Sequence, residues 1–373
     1  MAWTYLALAA ALIWFGILLL PWRPWNTREV LNASSPPSEE DLSDITALIP
    51  ARNEAEFIIA SLLGLGAQGN HLAIVLVDDQ STDGTAQAAL RTAKRNLRII
   101  EGKPLPPGWT GKLWALEQGI SHVHTPLTLL MDADIELKPG ILAALRKKMI
   151  ENGLQFISLM AALRMVSFWE RLFLPAFIYF FKLLYPFHLS NSSNPRVAAA
   201  AGGCILLQTN VLKAVGGFRA LRGAMIDDCA LARRVKSLGF RTWIGLTHSA
   251  RSLRPYNDLG TIWNMVARSA FSQLRYSSLL LLFCTVLMIT AFWLPVMGLF
   301  FPETAARVIA AASLGAMMLS YLPTLTFYGL PRVFAVAMPF IGTFYLAMTW
   351  TSAFRFWLGK GAEWKDRSYG KKE

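Results

Sequence analysis

Four stretches of this chain carry no Asp, Glu, Lys or Arg: residues 2–22, 279–301, 308–330 and 333–354. Each runs 21 to 23 residues, enough for an α-helix rising about 1.5 Å per residue to cross a hydrocarbon core about 30 Å thick. The pattern predicts four membrane segments. No basic residues precede the first one's apolar core and no small-residue cleavage site follows it, so it reads as a retained anchor and not a cleaved signal. Arg23 and Arg28 follow directly, which places the next segment in the cytoplasm. Residues 23–44 read as a linker, with two Ser-Pro-type turn signals and paired acids after Asn32.

From residue 45 to 160 the pattern alternates. Short apolar or β-branched runs at 45–49, 73–77, 97–100, 127–131 and 154–159 are strand candidates. Segments of helical spacing lie between most of them, at 55–65, 85–94, 112–122 and 140–150. Such alternation predicts an α/β fold with a mostly parallel, Rossmann-like sheet, whose ligands sit at the carboxyl ends of strands. Two later segments read as interfacial. Residues 164–188 hold an uncharged stretch of ten (172–181) flanked by Arg171 and Lys182 and rich in aromatics, too short to span and suited to the headgroup boundary. Residues 261–278 run straight into the second apolar segment. The predicted organisation is an anchor (1–22), a linker (23–44), a soluble domain (45–260), an interfacial helix (261–278), three membrane segments (279–354) and a basic tail (355–373).

Composition sharpens this picture. Of 373 residues, 54% are hydrophobic and 16% charged, which excludes a disordered tail, a collagen-like repeat and a nucleic-acid-binding arm. The net charge of +12 is uneven: residues 213–278 hold 11 basic and 3 acidic side chains. That excess suits a phosphate-bearing ligand, anionic headgroups or simple positive-inside bias. No recognised nucleic-acid-binding motif accompanies it, so nucleic acid is not an expected partner. Cys204, Cys229 and Cys284 share no short spacing and suggest neither disulfides nor zinc. The tail after Phe354 has six basic and three acidic residues. It favours the cytoplasmic side, whereas four full spans starting outside would end outside, so one of the last three segments is a candidate re-entrant element.

The candidate chemistry lies in the aspartates. Seven of the 11 fall into three groups: Asp78, Asp79 and Asp83; Asp132 and Asp134; Asp227 and Asp228. The first two groups directly follow predicted strands. Residues two apart in an extended segment point the same way, so Asp132 and Asp134 face one hard divalent cation and leave positions for phosphate oxygens. Asp78 and Asp79 stand at a strand's mouth, where carboxylates accept hydrogen bonds from a base or ribose, while Ser81 or Asp83 also suits a helix cap. Adjacent Asp227 and Asp228 repel, which raises one pKa towards a general base's range, or they cap a helix.

Together, Ile49-Pro-Ala-Arg-Asn-Glu54, Val77-Asp-Asp-Gln-Ser-Thr-Asp83, Asp132-Ala-Asp134, Gly216-Gly-Phe218 and Ile226-Asp-Asp228 resemble the family 2 glycosyltransferases over residues 45–276. The anchor, the apolar tail and Trp364-Lys-Asp-Arg-Ser-Tyr369 make the chain similar to the ceramide-glucosyltransferase-like branch, and most closely to bacterial hopene-associated glycosyltransferases. The resemblance implies a GT-A fold, a nucleotide-sugar donor (a UDP-sugar first) and inverting transfer of one sugar in the bacterial inner membrane. Asp78, Asp79 and Asp83 would hold the nucleoside, with Pro50 and Glu54 shaping the pocket. Lys112 and Asp227 would contact substrate, and Asp132 and Asp134 would bind Mg2+ or Mn2+. Asp228 would deprotonate the acceptor hydroxyl. The family's Gln-x-x-Arg-Trp motif is degraded to Ser272-Gln-Leu-Arg-Tyr276, leaving Arg275 to pair with diphosphate and arguing against polymer synthesis. The implied acceptor is a hopanoid or related lipid. A polyprenyl phosphate or a diacylglycerol/ceramide-type lipid is the alternative within this chemistry. A non-catalytic scaffold or a transporter is the alternative outside it.

Overall fold

A computed structural model describes residues 1–33, 40–92, 96–224 and 227–359, together with the backbone of 362–364 and 367–369. Residues 34–39 of the expected linker, Ile226, Lys365, Asp366 and most of the basic tail lie outside the described residues.

The centre is an eight-stranded sheet. In chain order its strands are β1 (Ile45–Ala51), β2 (Ala73–Asp78), β3 (Leu97–Glu101), β4 (Leu127–Met131), β5 (Ile135–Leu137), β6 (Phe156–Ala162), β7 (Cys204–Gln208) and β8 (Thr242–Ser252). In space they run β3-β2-β1-β4-β7-β6-β8-β5. The first half is parallel, with Leu48 opposite Val75 on β2 and opposite Leu130 on β4. β1 is buried along its whole length, as expected of a parallel strand covered on both faces. The helices Ile58–Gly66 and Ile141–Glu151 cover one face through Ile58, Leu62, Leu142 and Leu145. The helices Gly111–Gly119 and Asp227–Ser237 cover the other through Leu113, Leu116, Leu231 and Val235.

The mixed α/β sheet agrees with the sequence reading, and the five strand candidates all appear within three residues of their expected ends. The far half adds what periodicity did not reveal. β7 pairs antiparallel with both β4 and β6, β8 runs parallel to β6, and β5 closes the edge antiparallel to β8. Part of the linker also joins the sheet, since Val30 bridges Leu246 and the Leu31 amide donates to the Leu246 carbonyl at 3.0 Å.

Among the described residues four helices are long and apolar enough to cross a membrane: Ala2–Leu19, Ser278–Gly298, Thr304–Phe327 and Arg332–Trp357. Their contacts set their directions. The Thr4 amide donates to Glu303, and Trp14 Nε1 donates to the Ala291 carbonyl at 2.6 Å. Trp293 reaches Thr343, Trp350 reaches Thr285, and Arg355 reaches Asn264. The first and third helices therefore start together, and the fourth ends where the second begins, beside the sheet domain. The helix Phe168–Leu184 starts at a capping box made by Ser167 and Glu170. It buries Phe173, Ala176 and Tyr179 against Trp14, Tyr321 and Tyr345, so it joins the sheet domain to the apolar helices.

Candidate active site

Strand ends build the site. Pro50 lies within β1, opposite Val77, and Asn53 beyond the strand holds a left-handed backbone (φ 51°) that turns the chain across the mouth of β2. Three bonds tie the two loops together. The Asn53 amide donates to Ser81 Oγ (3.0 Å), the Glu54 amide to Thr85 Oγ1 (2.8 Å) and the Thr82 amide to Asn53 Oδ1 (2.9 Å). Arg52 Nη1 donates to the Asp79 carbonyl at 2.7 Å. Pro50, Glu54, Asp78 and Asp79 thus lie together where β1 and β2 end, with the Asp79 side chain buried.

Asp83 has a local task. Its Oδ2 accepts from the Ala55 amide at 2.9 Å and its Oδ1 from the Thr85 amide at 3.0 Å. Burial pushes this carboxyl up, but the bonds from Thr85 and Ala55 outweigh it and hold the group below its ordinary range. It ties the loop before the following helix to the end of β1, while Gly84 holds the N-cap position without a side-chain cap bond.

Asp132 follows β4, and its Oδ1 lies 2.6 Å from Lys112 Nζ. Burial raises the Asp132 pKa, Asp134 raises it further, and Lys112 opposes both. Burial lowers that of Lys112, yet Asp132, Asp227 and Asp228 together carry it above the usual lysine range. Lys112 is therefore the charge that draws the second and third aspartate groups into one cluster. Asp228 stands at the start of the helix Asp227–Ser237, its Oδ2 accepting from the Gly202 amide at 2.8 Å and its Oδ1 from the Cys229 amide at 2.7 Å. Burial, then the neighbouring Asp227, push Asp228 up to about 7, against Lys112 and the two amides. A carboxylate titrating there is suited to take a proton near neutral pH.

Gly202 is part of this geometry. A Cβ there would lie 2.9 Å from Lys112 Nζ and 3.4 Å from Asp228 Oδ2. Only glycine lets the backbone amide reach Asp228 without displacing the lysine.

Asp134 meets a partner that sequence reasoning missed. Arg254, just beyond β8, donates from Nε to Asp134 Oδ2 at 3.0 Å and from Nη2 to both Glu54 oxygens at 2.6 and 2.8 Å. Tyr256 lies close enough to Arg254, Asp134 and Asp132 to feel all three charges. The basic excess after residue 212 was the signal for Arg254, but composition does not say which arginine reaches the carboxylates. Arg275 is exposed at the turn before the helix Ser278–Phe292. Among the described residues no hydrogen bond or ion pair joins it to the carboxylates.

Among the described residues no three His, Cys, Asp or Glu side chains converge as a ready metal cage. The donors still fit a hard divalent cation. Ala133 and Asp134 form a turn and not the extended segment that the spacing predicted, so Asp132 faces Lys112 while Asp134 faces Arg254; a divalent cation held by both carboxylates would take its remaining ligands from water and phosphate oxygens.

Comparison with known proteins bears on the family and fold of the sheet domain. Residues 46–216 match the family model "Glycosyl transferase family 2", so this segment is a glycosyl transferase family 2 domain. A 4,4'-diaponeurosporenoate glycosyltransferase from Staphylococcus haemolyticus is 29% identical over 113 residues, 30% of each chain. The Staphylococcus aureus protein of that name is 32% identical over 94 residues, 24% of each. The matched segments thus span less than a third of these relatives. A mannosyltransferase from Pyrobaculum calidifontis, solved in complex with GDP-Man and Mn2+, superposes over 95% of this chain and 98% of its own. Its TM-score is 0.56 at 20% identity, which establishes the GT-A fold.

Proposed function

We propose that this chain, built around a glycosyl transferase family 2 domain, is a membrane-bound inverting enzyme that moves one sugar from a nucleotide-sugar to a lipid. The observation that carries the reading is the single cluster in which Lys112 pairs with Asp132 and lies beside Asp228 across Gly202, with burial raising Asp228 to about 7.

Each residue then has a task. Pro50, Glu54, Asp78 and Asp79 frame the nucleoside pocket, while Asp83 keeps the loop in shape. Asp132 and Asp134 would hold a divalent cation, as the Mn2+ of the Pyrobaculum mannosyltransferase suggests. When bound, such a cation supplies electrostatic stabilisation of a departing diphosphate. Asp228 takes the proton of the acceptor hydroxyl, and Lys112 and the Gly202 and Cys229 amides hold it in place. Arg275 is not assigned to the diphosphate, and Arg254 takes that role.

The acceptor is read as a lipid because the domain rests on four apolar helices and one aromatic helix. The Staphylococcus relatives are named for a carotenoid acid, an apolar substrate of similar kind. A hopanoid or related lipid is the first acceptor to test, in the inner membrane. We place the domain in the cytoplasm with the end of the last helix on the same side. That assignment satisfies the basic tail, and it makes Arg332–Trp357 the re-entrant segment, because Arg355 reaches Asn264.

The test is to incubate the purified full-length protein with UDP-glucose or GDP-mannose and a bacterial lipid extract containing hopanoids, then to analyse the products by lipid mass spectrometry. A glycolipid that needs Mn2+ or Mg2+ and disappears with Asp228→Asn is expected. Release of free sugar with no glycolipid would overturn the reading.

A further inference from the structure

Arg254 holds its acids more firmly than an ordinary surface arginine. Its Nε and Nη2 bridge Asp134 and Glu54, two residues from different strand ends. Ser252 Oγ adds a contact to the same Asp134 oxygen at 3.3 Å. The backbone around the arginine is pinned on both sides. The Leu253 amide donates to the Asp134 carbonyl at 2.8 Å, and the Tyr256 amide donates to Glu170 Oε1 at 2.8 Å. Glu170 is itself buried, paired with Arg164 and bonded to the amides of Val166 and Ser167. The side chain is 28% exposed, so it stays reachable from the pocket.

A divalent cation approaching Asp134 would therefore meet an oxygen already shared by a guanidinium and a hydroxyl. Two cations at contact distance from one carboxylate repel, so one must give way. From this geometry we infer that Arg254 is a resident counter-ion that competes with the divalent cation for Asp134 and turns its fork to the diphosphate when metal and nucleotide enter together. The inference rests on the reading of Asp132 and Asp134 as metal ligands. A guanidinium fork fits phosphate as well as carboxylate. Glu54 retains one side of it, so the exchange needs a swing and no departure. Donor-free protein then binds metal weakly, and metal and nucleoside diphosphate bind cooperatively.

The experiment is Mn2+ titration of the full-length protein in detergent, by electron paramagnetic resonance or calorimetry, first with Mn2+ alone and then with UDP or GDP present. Arg254→Gln should bind Mn2+ alone about tenfold tighter, the loss of roughly one competing ion pair, and should lose most of the gain that UDP or GDP gives the unaltered protein. Glu54→Gln should act oppositely and weaken Mn2+ binding, because the guanidinium then spends its charge on Asp134. Unchanged or weaker Mn2+ binding in Arg254→Gln would overturn the inference. If Arg254→Gln does not fold, Arg254→Lys serves: its single ammonium should give a smaller tightening, and none would overturn the inference. If Asp134→Asn binds Mn2+ as the unaltered protein does, the metal-ligand reading itself fails, a separate result.

Discussion

The two halves of the sheet do different work. The parallel half, β3-β2-β1-β4, ends in Glu54, Asp78, Asp79 and Asp132, residues that stand in short motifs directly after apolar strands. The mixed half, β7-β6-β8-β5, brings Gly202, Arg254 and, through the helix after it, Asp228. Those residues are scattered over more than fifty positions. On the proposed reading the parallel half and Lys112 would frame the nucleotide and its cation, and the mixed half would bring the base Asp228 and the arginine Arg254 to face them. If that reading holds, recognition and proton transfer are divided between the two sides of β4.

That division can be broken by substitution. The largest effect is expected from Asp228→Asn, whose amide cannot take a proton. The turnover of glycolipid should fall about 100- to 10,000-fold, while nucleotide binding measured by calorimetry stays within a few-fold. A matched loss of both would erase the division. Gly202→Ala comes next. The new Cβ would displace Lys112 Nζ from 2.9 Å, so turnover should fall about tenfold with little change in melting temperature, because the atom it meets is the end of a flexible side chain.

The pH profile gives a smaller, graded test. Asp228 accepts a proton only when ionised, and its pKa is raised to about 7. Catalytic efficiency should therefore rise with pH through about 7 and level above it. A flat profile from pH 5 to 8 would point to another base. Asp83→Ala is the mildest change. Losing its bonds to the Ala55 and Thr85 amides should lower stability by about 1 kcal/mol in a denaturant titration and leave nucleotide affinity nearly unchanged. A tenfold loss of affinity would return Asp83 to the nucleoside pocket.

The sequence was most informative where chemistry is local. The five apolar strand runs and the charge-free helices depend on neighbours a few residues away, and each appears where expected. β7 and β8 were missed for opposite reasons. β7 is five residues long and follows a run of alanines and glycines. β8 is long but mixes Trp243, Gly245, Thr247 and His248, with no clean alternation. Lys112 entered the sequence reading as a substrate contact, but its ion pair with Asp132 and its place within the field of Asp228 needed the fold.

What the sequence by itself determined is the inventory: apolar helices of membrane length, a strand–helix repeat and three groups of acids, because hydrophobic period and motif spacing are local properties. What only the tertiary structure decided is the pairing: Lys112 with Asp132, Gly202 with Asp228, and Arg254 between Glu54 and Asp134. Those pairs join residues from 20 to 200 positions apart, and the Coulomb energy that shifts a buried carboxyl depends on distance in space, which chain spacing does not encode.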